Sequence, residues 1–112
     1  KLDLTTTNAT VLYTAPSETD FNTSIVNSIL VSEDSGNADT ITVTLTTPGG
    51  AVFSLFHVKA VAASTTIELL TKDLVLQSGE ILKATAATAN RLHVVASIQE
   101  FTKTRISTSA GL

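Results

Sequence analysis

Polar and apolar residues alternate with period two along TITVTLTT, residues 40–47. Ile41, Val43 and Leu45 fall on one side, and Thr40, Thr42, Thr44 and Thr46 on the other. β-Branched residues at that period predict a half-buried strand, because a helix would scatter the same positions around its axis. The strand runs into TPGG, where Pro48, Gly49 and Gly50 predict a tight reversal. Residues 51–60 alternate again, more loosely, with Val52, Phe56 and Val58 against Phe53, Leu55 and His57. The two runs read as a β-hairpin.

The same grammar repeats along the chain. ATVLYTA stops before Pro16, SIVNSILVS before EDSGNAD, TTIELL before TKD, LVL before QSGE and ILKATA before ATAN; RLHVVASIQEFT closes the series. About eight short strands separated by Gly, Pro, Asn, Asp or Ser predict an antiparallel sandwich or barrel. Short turns favour antiparallel neighbours, and no segment reads as a crossover helix. GEILKATAATANRLHVVA is alanine-rich enough to be drawn as a helix, but Thr85, Thr88 and Asn90 are poor helix residues and ATAN has turn chemistry. Strand–turn–strand is the preferred reading. It sends Leu92, Val94, Ala96 and Ile98 inward against Leu82, Ala84 and Ala86, and His93, Val95, Ser97 and Gln99 outward.

The predicted fold is therefore all-β: a single antiparallel β-sandwich, jelly-roll-like, over residues 8–102. Arms 1–7 and 103–112 flank it.

SIVNSILVS differs from the other strands. Strict alternation puts Ile25, Ile29 and Val31 on one face and Val26 and Leu30 on the other. A strand apolar on both faces is covered on both. A two-layer sandwich offers one core face, so Val26 and Leu30 are expected to meet a loop or another subunit. KTRISTSAGL carries two cations, Lys103 and Arg105, beside one apolar anchor, Ile106. Ordering such a tail costs roughly 1–2 kcal/mol of backbone entropy per residue, which contacts have to offset. Lys103, Arg105 and Ile106 are expected to find those contacts on a neighbouring subunit or shell, Ile106 in an apolar pocket and the cations near acidic groups.

The 112 residues fit one domain. Hydrophobic residues make up 43% and charged residues 15%, against roughly 25% charged in an average soluble domain. Mean hydropathy is +0.30. Threonine and serine supply polar cover here, and some apolar surface is expected to be buried against other chains. There is no cysteine, which excludes disulfides and thiolate metal sites. The longest apolar candidate, AVFSLFHVKAVAA, is interrupted by His57 and Lys59, short of the roughly 18 residues of a membrane span. KLDLTTTN carries Asp3 and lacks the apolar core of a signal peptide. No membrane partner is expected. A net charge of −3 argues against a nucleic-acid partner as well. Up to Phe56 there are six acids and one base, and from His57 onward four acids and six bases. That asymmetry would help subunits meet in register, although chance placement of few charges explains it equally simply.

Chemistry-bearing constellations are sparse. His57 and His93 lie within strands, without metal-ligand spacing; convergence with Glu68 or Asp73 across a sheet is the less economical reading. The sequence has no nucleophile elbow, P-loop or dinucleotide fingerprint. EDSGNAD places Glu33, Asp34, Asn37 and Asp39 within seven residues. An exposed turn without metal is the preferred reading and a Ca²⁺ site the alternative, since the spacing is not that of an EF-hand. Glu68 and Glu80 are the acids flanked by apolar strand, the minimum that glycoside hydrolysis would need. Sugar-binding sandwiches stack rings on Trp or Tyr, and one Tyr and no Trp disfavour a carbohydrate-binding module. Neither enzymatic activity nor a cofactor is expected.

Five segments in order carry a resemblance: Tyr13–Pro16 (YTAP), Ile29–Ser32 (ILVS), Ile41–Leu45 (ITVTL), Leu74–Ala84 (LVLQSGEILKA) and Leu92–Glu100 (LHVVASIQE). Together they span roughly residues 8–101 and are similar to small virion proteins of tailed bacteriophages, a group that includes capsid decoration (cement) proteins and modules of tails and fibres. The resemblance implies a structural protein on the outer capsid surface of the virion. Its partners would be the major capsid protein and further copies of itself, as a homo-oligomer, a trimer. A tail, baseplate or head-fibre component is the alternative. The matching residues are turn and core positions, so no catalytic residue is carried over, and the segment after Phe101 lies outside the match.

Overall fold

The structure, a computed structural model, describes residues 1–17 and 21–102. These form nine strands: β1 (Leu2–Asp3), β2 (Thr10–Thr14), β3 (Phe21–Glu33), β4 (Asp39–Thr46), β5 (Val52–Val61), β6 (Thr66–Glu68), β7 (Leu74–Leu76), β8 (Ile81–Ala86) and β9 (Leu92–Thr102). One sheet has the order β1-β9-β3-β6, with β7 also paired to β3; the other has the order β2-β8-β4-β5. All pairings are antiparallel.

The pairs β4·β5, β3 with β6 and β7, β2·β8 and β1·β9 trace one long hairpin whose successive segments fall alternately on the two sheets. Pairing of β9 with β3 and of β8 with β4 completes each sheet. This is a jelly roll, with one strand position shared by β6 and β7. The expected all-β sandwich is the observed fold, and the alanine-rich segment is strand, turn, strand: Asn90, with φ at +66°, takes the left-handed position in the turn.

Between the sheets lies one apolar core. Ile41, Val43 and Leu45 of β4, Leu82, Ala84 and Ala86 of β8, and Leu92 and Val94 of β9 are all buried in it. Ala96 and Ile98 pack against its margin. Thr40, Thr42, Thr44 and Thr46 face outward, yet they are half-buried instead of fully exposed. The cause is position: β4 is an interior strand, so Thr42 stands beside Thr85, and Thr44 between Lys83 and Ser54.

Two expectations are corrected. The first seven residues, expected as an arm, include a strand. Leu2 and Asp3 pair with Val94 and His93, Leu4 is buried, and backbone bonds join Leu4 N to Leu92 O at 3.0 Å and Asn90 N to Leu4 O at 2.9 Å. Leu2 and Leu4 supply apolar area to the core, so the segment gains enough by docking to be part of the sheet.

The second correction concerns Val26, expected on an outward interface. Val26 is fully buried. On β9, Ile98 and Ser97 are consecutive, but their partners on β3 are Val26 and Ser28. Asn27 is the extra residue of a β-bulge, which resets the alternation. Ser24, Val26, Ile29, Val31 and Glu33 all point inward as a result, while Ile25, expected inward, is half-buried on the outer side between Val75 and Gln99. Expected interface residues Lys103, Arg105 and Ile106 lie outside the described residues.

Candidate interaction surfaces

Leu30 keeps its expected outward orientation. It stands directly opposite Val95 of β9, and the two side chains are 40% and 38% exposed. The outer face of this sheet also carries Val75 and Phe101, both exposed, beside Ile25 and Thr23 respectively. Single exposed apolar residues are ordinary; a register-matched pair in mid-sheet, with further apolar positions along the same face, forms a stripe suited to contact.

The other sheet ends at β5, whose outer edge has no described strand beside it. Two register shifts interrupt its pairing with β4: Val43 pairs with Phe56 and Thr44 with Ser54, leaving Leu55 as an extra residue, and further extra length falls at His57 and Val58. Val58 has φ at +50°, uncommon for a β-branched residue, and its N–H donates to Thr42 Oγ1 at 3.0 Å. Such breaks discourage edge-to-edge sheet pairing. They also leave Leu55 and Phe56, neighbours in sequence, both half-buried. Together with Leu69, Leu70 and Leu74 these residues wall an open groove of about 340 Å³, rimmed by Thr71, Lys72 and Asp73.

Acidic side chains, the candidates for catalysis or cation binding, are engaged by the fold. Glu33 points into the interior, and its carboxylate accepts from Ser35 N at 2.9 Å, Gly36 N at 3.1 Å, Ser64 N at 2.9 Å and the Ser35 hydroxyl. The Ser35 hydroxyl, helped by the three N–H groups against the opposing effect of burial, holds the Glu33 carboxyl down at about 2. Asp39 accepts from Thr88 N at 3.1 Å. The acids of EDSGNAD thus diverge: Glu33 and Asp39 are buried, while Asp34, Ser35, Gly36, Asn37 and Ala38 are exposed. Among the described residues no group of three or more His, Cys, Asp or Glu is placed to hold a metal ion.

Glu68 is opposite Leu30 in β6 and caps the break between β6 and β7 along β3. It accepts from Ile29 N at 2.8 Å, Leu70 N at 3.1 Å and the Ser28 hydroxyl. Burial works against its charge, but these three donors prevail and lower its pKa. Glu80 accepts from Gln77 N at 2.7 Å inside the β7–β8 turn. The two carboxylates thus hold different backbone donors.

The histidines do not converge. His57 is exposed on β5 in one sheet, while His93 on β9 in the other lies between Asp3, 3.3 Å from Nε2, and Asp34, 3.6 Å from Nδ1. One polar cluster escaped the sequence reading. Tyr13 of β2 reaches across the sandwich to Ser24 Oγ at 2.7 Å and to the Glu100 carboxylate, and Ser24 and Glu100 are register partners. Burial, followed by the Glu100 bond, raises the Tyr13 pKa against the lowering effect of Ser24, so the phenol stays protonated and ties the sheets together. The pairing of a lone Tyr with an inward Ser is visible only once the bulged register of β3 is known.

No family model, curated protein or solved structure matches the chain.

Proposed function

We propose that this chain is a non-enzymatic structural protein of a tailed-phage virion, of the capsid decoration (cement) type. In this reading it binds the outside of the major capsid protein shell as a homo-oligomer, a trimer. The observation that carries the reading is the outward pair Leu30 and Val95, set in the middle of an ordered sheet with Val75 and Phe101 on the same face. The resemblance over residues 8–101 supplies the kind of assembly. The engagement of Glu33, Asp39, Glu68 and Glu80 by backbone N–H groups is in keeping with it, since these acids serve the scaffold.

The mechanism is added contact area. Many modest interfaces, repeated by symmetry, hold a shell against internal pressure without any reacting group. A rigid jelly roll suits the task, because a preformed surface loses little entropy on docking. Quantitative analysis of purified particles tests the reading. A cement protein is present in fixed proportion to the capsid protein and restores pressure resistance when added back to stripped shells. A far smaller copy number, confined to tail fractions, would assign the chain to a tail, baseplate or fibre instead.

A further inference from the structure

The groove between β5 and the β6–β7 connection has apolar walls and no occupant among the described residues. We propose that it is the seat for the C-terminal segment, residues 103–112, of a second copy of this chain, with Ile106 as the side chain that enters it. The inference deepens the self-association part of the reading above and rests on it for nothing else.

The groove is a product of the strand irregularities around it. A regular strand sends neighbours to opposite faces, but the extra residue at Leu55 leaves Leu55 and Phe56 both lining one space. Leu69, Leu70 and Leu74 complete the wall, and Asp73 and Lys72 stand on the rim. Residues 103–112 offer a matching arrangement: Ile106 is their one large apolar side chain before Leu112, and Arg105 precedes it directly. With Ile106 between the leucines, Arg105 lies within reach of Asp73; Lys72 on the same rim opposes that pairing in part, so apolar contact is the main attraction.

Strand direction decides between the chain's own groove and a neighbour's. Thr102 ends β9 opposite Phe21, and Leu74, the nearest wall residue in the sheet register, is level with Ile98 through Val26. Four residues along the strand and two strands across put Leu74 about 16 Å from Thr102 in a straight line. Four residues of fully extended chain, from Thr102 to Ile106, span at most about 14 Å, so Ile106 meets its own groove only if the chain reverses immediately after Thr102. β9 runs away from the groove at Thr102, and residues 103–105 hold no Gly, Pro, Asn, Asp or Ser to reverse the chain before Ile106. A segment that continues in the direction of β9 leaves its own groove behind and suits that of another copy.

The chain has no cysteine, so single cysteines report the contact cleanly. Full-length Thr71→Cys, at an exposed rim position, is mixed with full-length Ile106→Cys under mild oxidation. A mixed disulfide is expected, and none between Ile106→Cys and Lys83→Cys, whose position lies on the outer face of β8, two strands from β5 and outside the groove. Ile106→Asp is expected to keep its melting temperature while its mass in solution falls to the single-chain 11.7 kDa. Equal cross-linking at Thr71 and Lys83, no cross-linking at either, or a disulfide formed only within a doubly substituted chain overturns the proposal. Because no capsid enters the experiment, a protein that cross-links but fails to decorate shells refutes the cement reading alone. One that decorates shells without cross-linking refutes this inference alone.

Discussion

The carboxylate of Glu68 accepts the backbone N–H of Ile29 at 2.8 Å, on the edge of β3 where β6 has ended and Leu69 N still donates to Ile29 O. The same side chain takes Leu70 N and the Ser28 hydroxyl. Glu68→Ala removes these acceptors together. A loss of about 1–3 kcal/mol is expected, because the part-buried Ile29 N–H is left without a partner. Glu68→Gln, which keeps one carbonyl oxygen, is expected to lose less. Urea unfolding of the three proteins checks this; an alanine variant as stable as the parent would show that the break between β6 and β7 holds without the carboxylate.

The bulge at Asn27 marks where sequence patterning reaches its limit. Alternation located β4, β7 and β8 because each keeps one phase from end to end. In β3 the extra residue reverses the phase, and every assignment before Asn27 inverts, Ile25 and Val26 included. Asn27 and Ser28, two small polar residues inside an apolar strand, are the trace this device leaves in the sequence. Neither is distinctive until the strands are paired. Leu2 and Leu4 alternate correctly, but two residues are too few to separate a strand from a tail. The Leu30–Val95 pair was half legible: each residue was expected outward, and only the register placed them together.

Glu33 predicts the acid response. Its carboxyl has a pKa of about 2 in the folded chain against an ordinary 4.5, so the folded state binds that proton more weakly than the unfolded one. Its stabilising contribution is complete above 4.5 and disappears as the pH falls towards 2. Glu68 is shifted in the same direction. Glu33→Gln is expected to flatten the dependence of the urea midpoint on pH across that window. A variant whose acid profile overlays the parent's would place the titration elsewhere.

Val43 and Thr42 separate two kinds of contribution on one strand. Val43 is fully buried, and Val43→Ala is expected to cost about 1–3 kcal/mol through lost burial and the cavity left behind. Thr42 faces outward, but its Oγ1 holds Val58 N, so Thr42→Ala is expected to cost about 1 kcal/mol while Thr42→Ser, which retains the hydroxyl, costs less. Thermal unfolding resolves the order Val43→Ala, Thr42→Ala, Thr42→Ser. Equal losses for the two threonine variants would remove the hydroxyl from the account of β5.

Val58 itself is held at φ +50° on an exposed stretch of edge strand. A β-branched residue is strained there, by roughly 1–3 kcal/mol, and glycine is not. Val58→Gly gives back part of this through the greater freedom of its unfolded chain. A net gain of up to about 1 kcal/mol is expected. A clear destabilisation would mean that the valine side chain makes contacts that outweigh its backbone cost.

Leu30 and Val95 carry the functional reading into a measurement. Both are exposed enough that changing them to threonine, a β-branched residue that favours strands, should shift stability by less than about 1 kcal/mol each. Their value to an assembly is different, because a contact repeated at every copy multiplies a small loss over the whole shell. The double variant Leu30→Thr, Val95→Thr is therefore expected to fold with an almost unchanged melting temperature and to bind stripped capsids at clearly reduced occupancy. Raised salt should leave that deficit in place, since the lost contact is apolar and ionic screening acts on charges. Full occupancy of the double variant would clear this face of any part in binding. A deficit that salt abolishes would shift the contact to charged groups, and the argument from the outward apolar pair would fail with it.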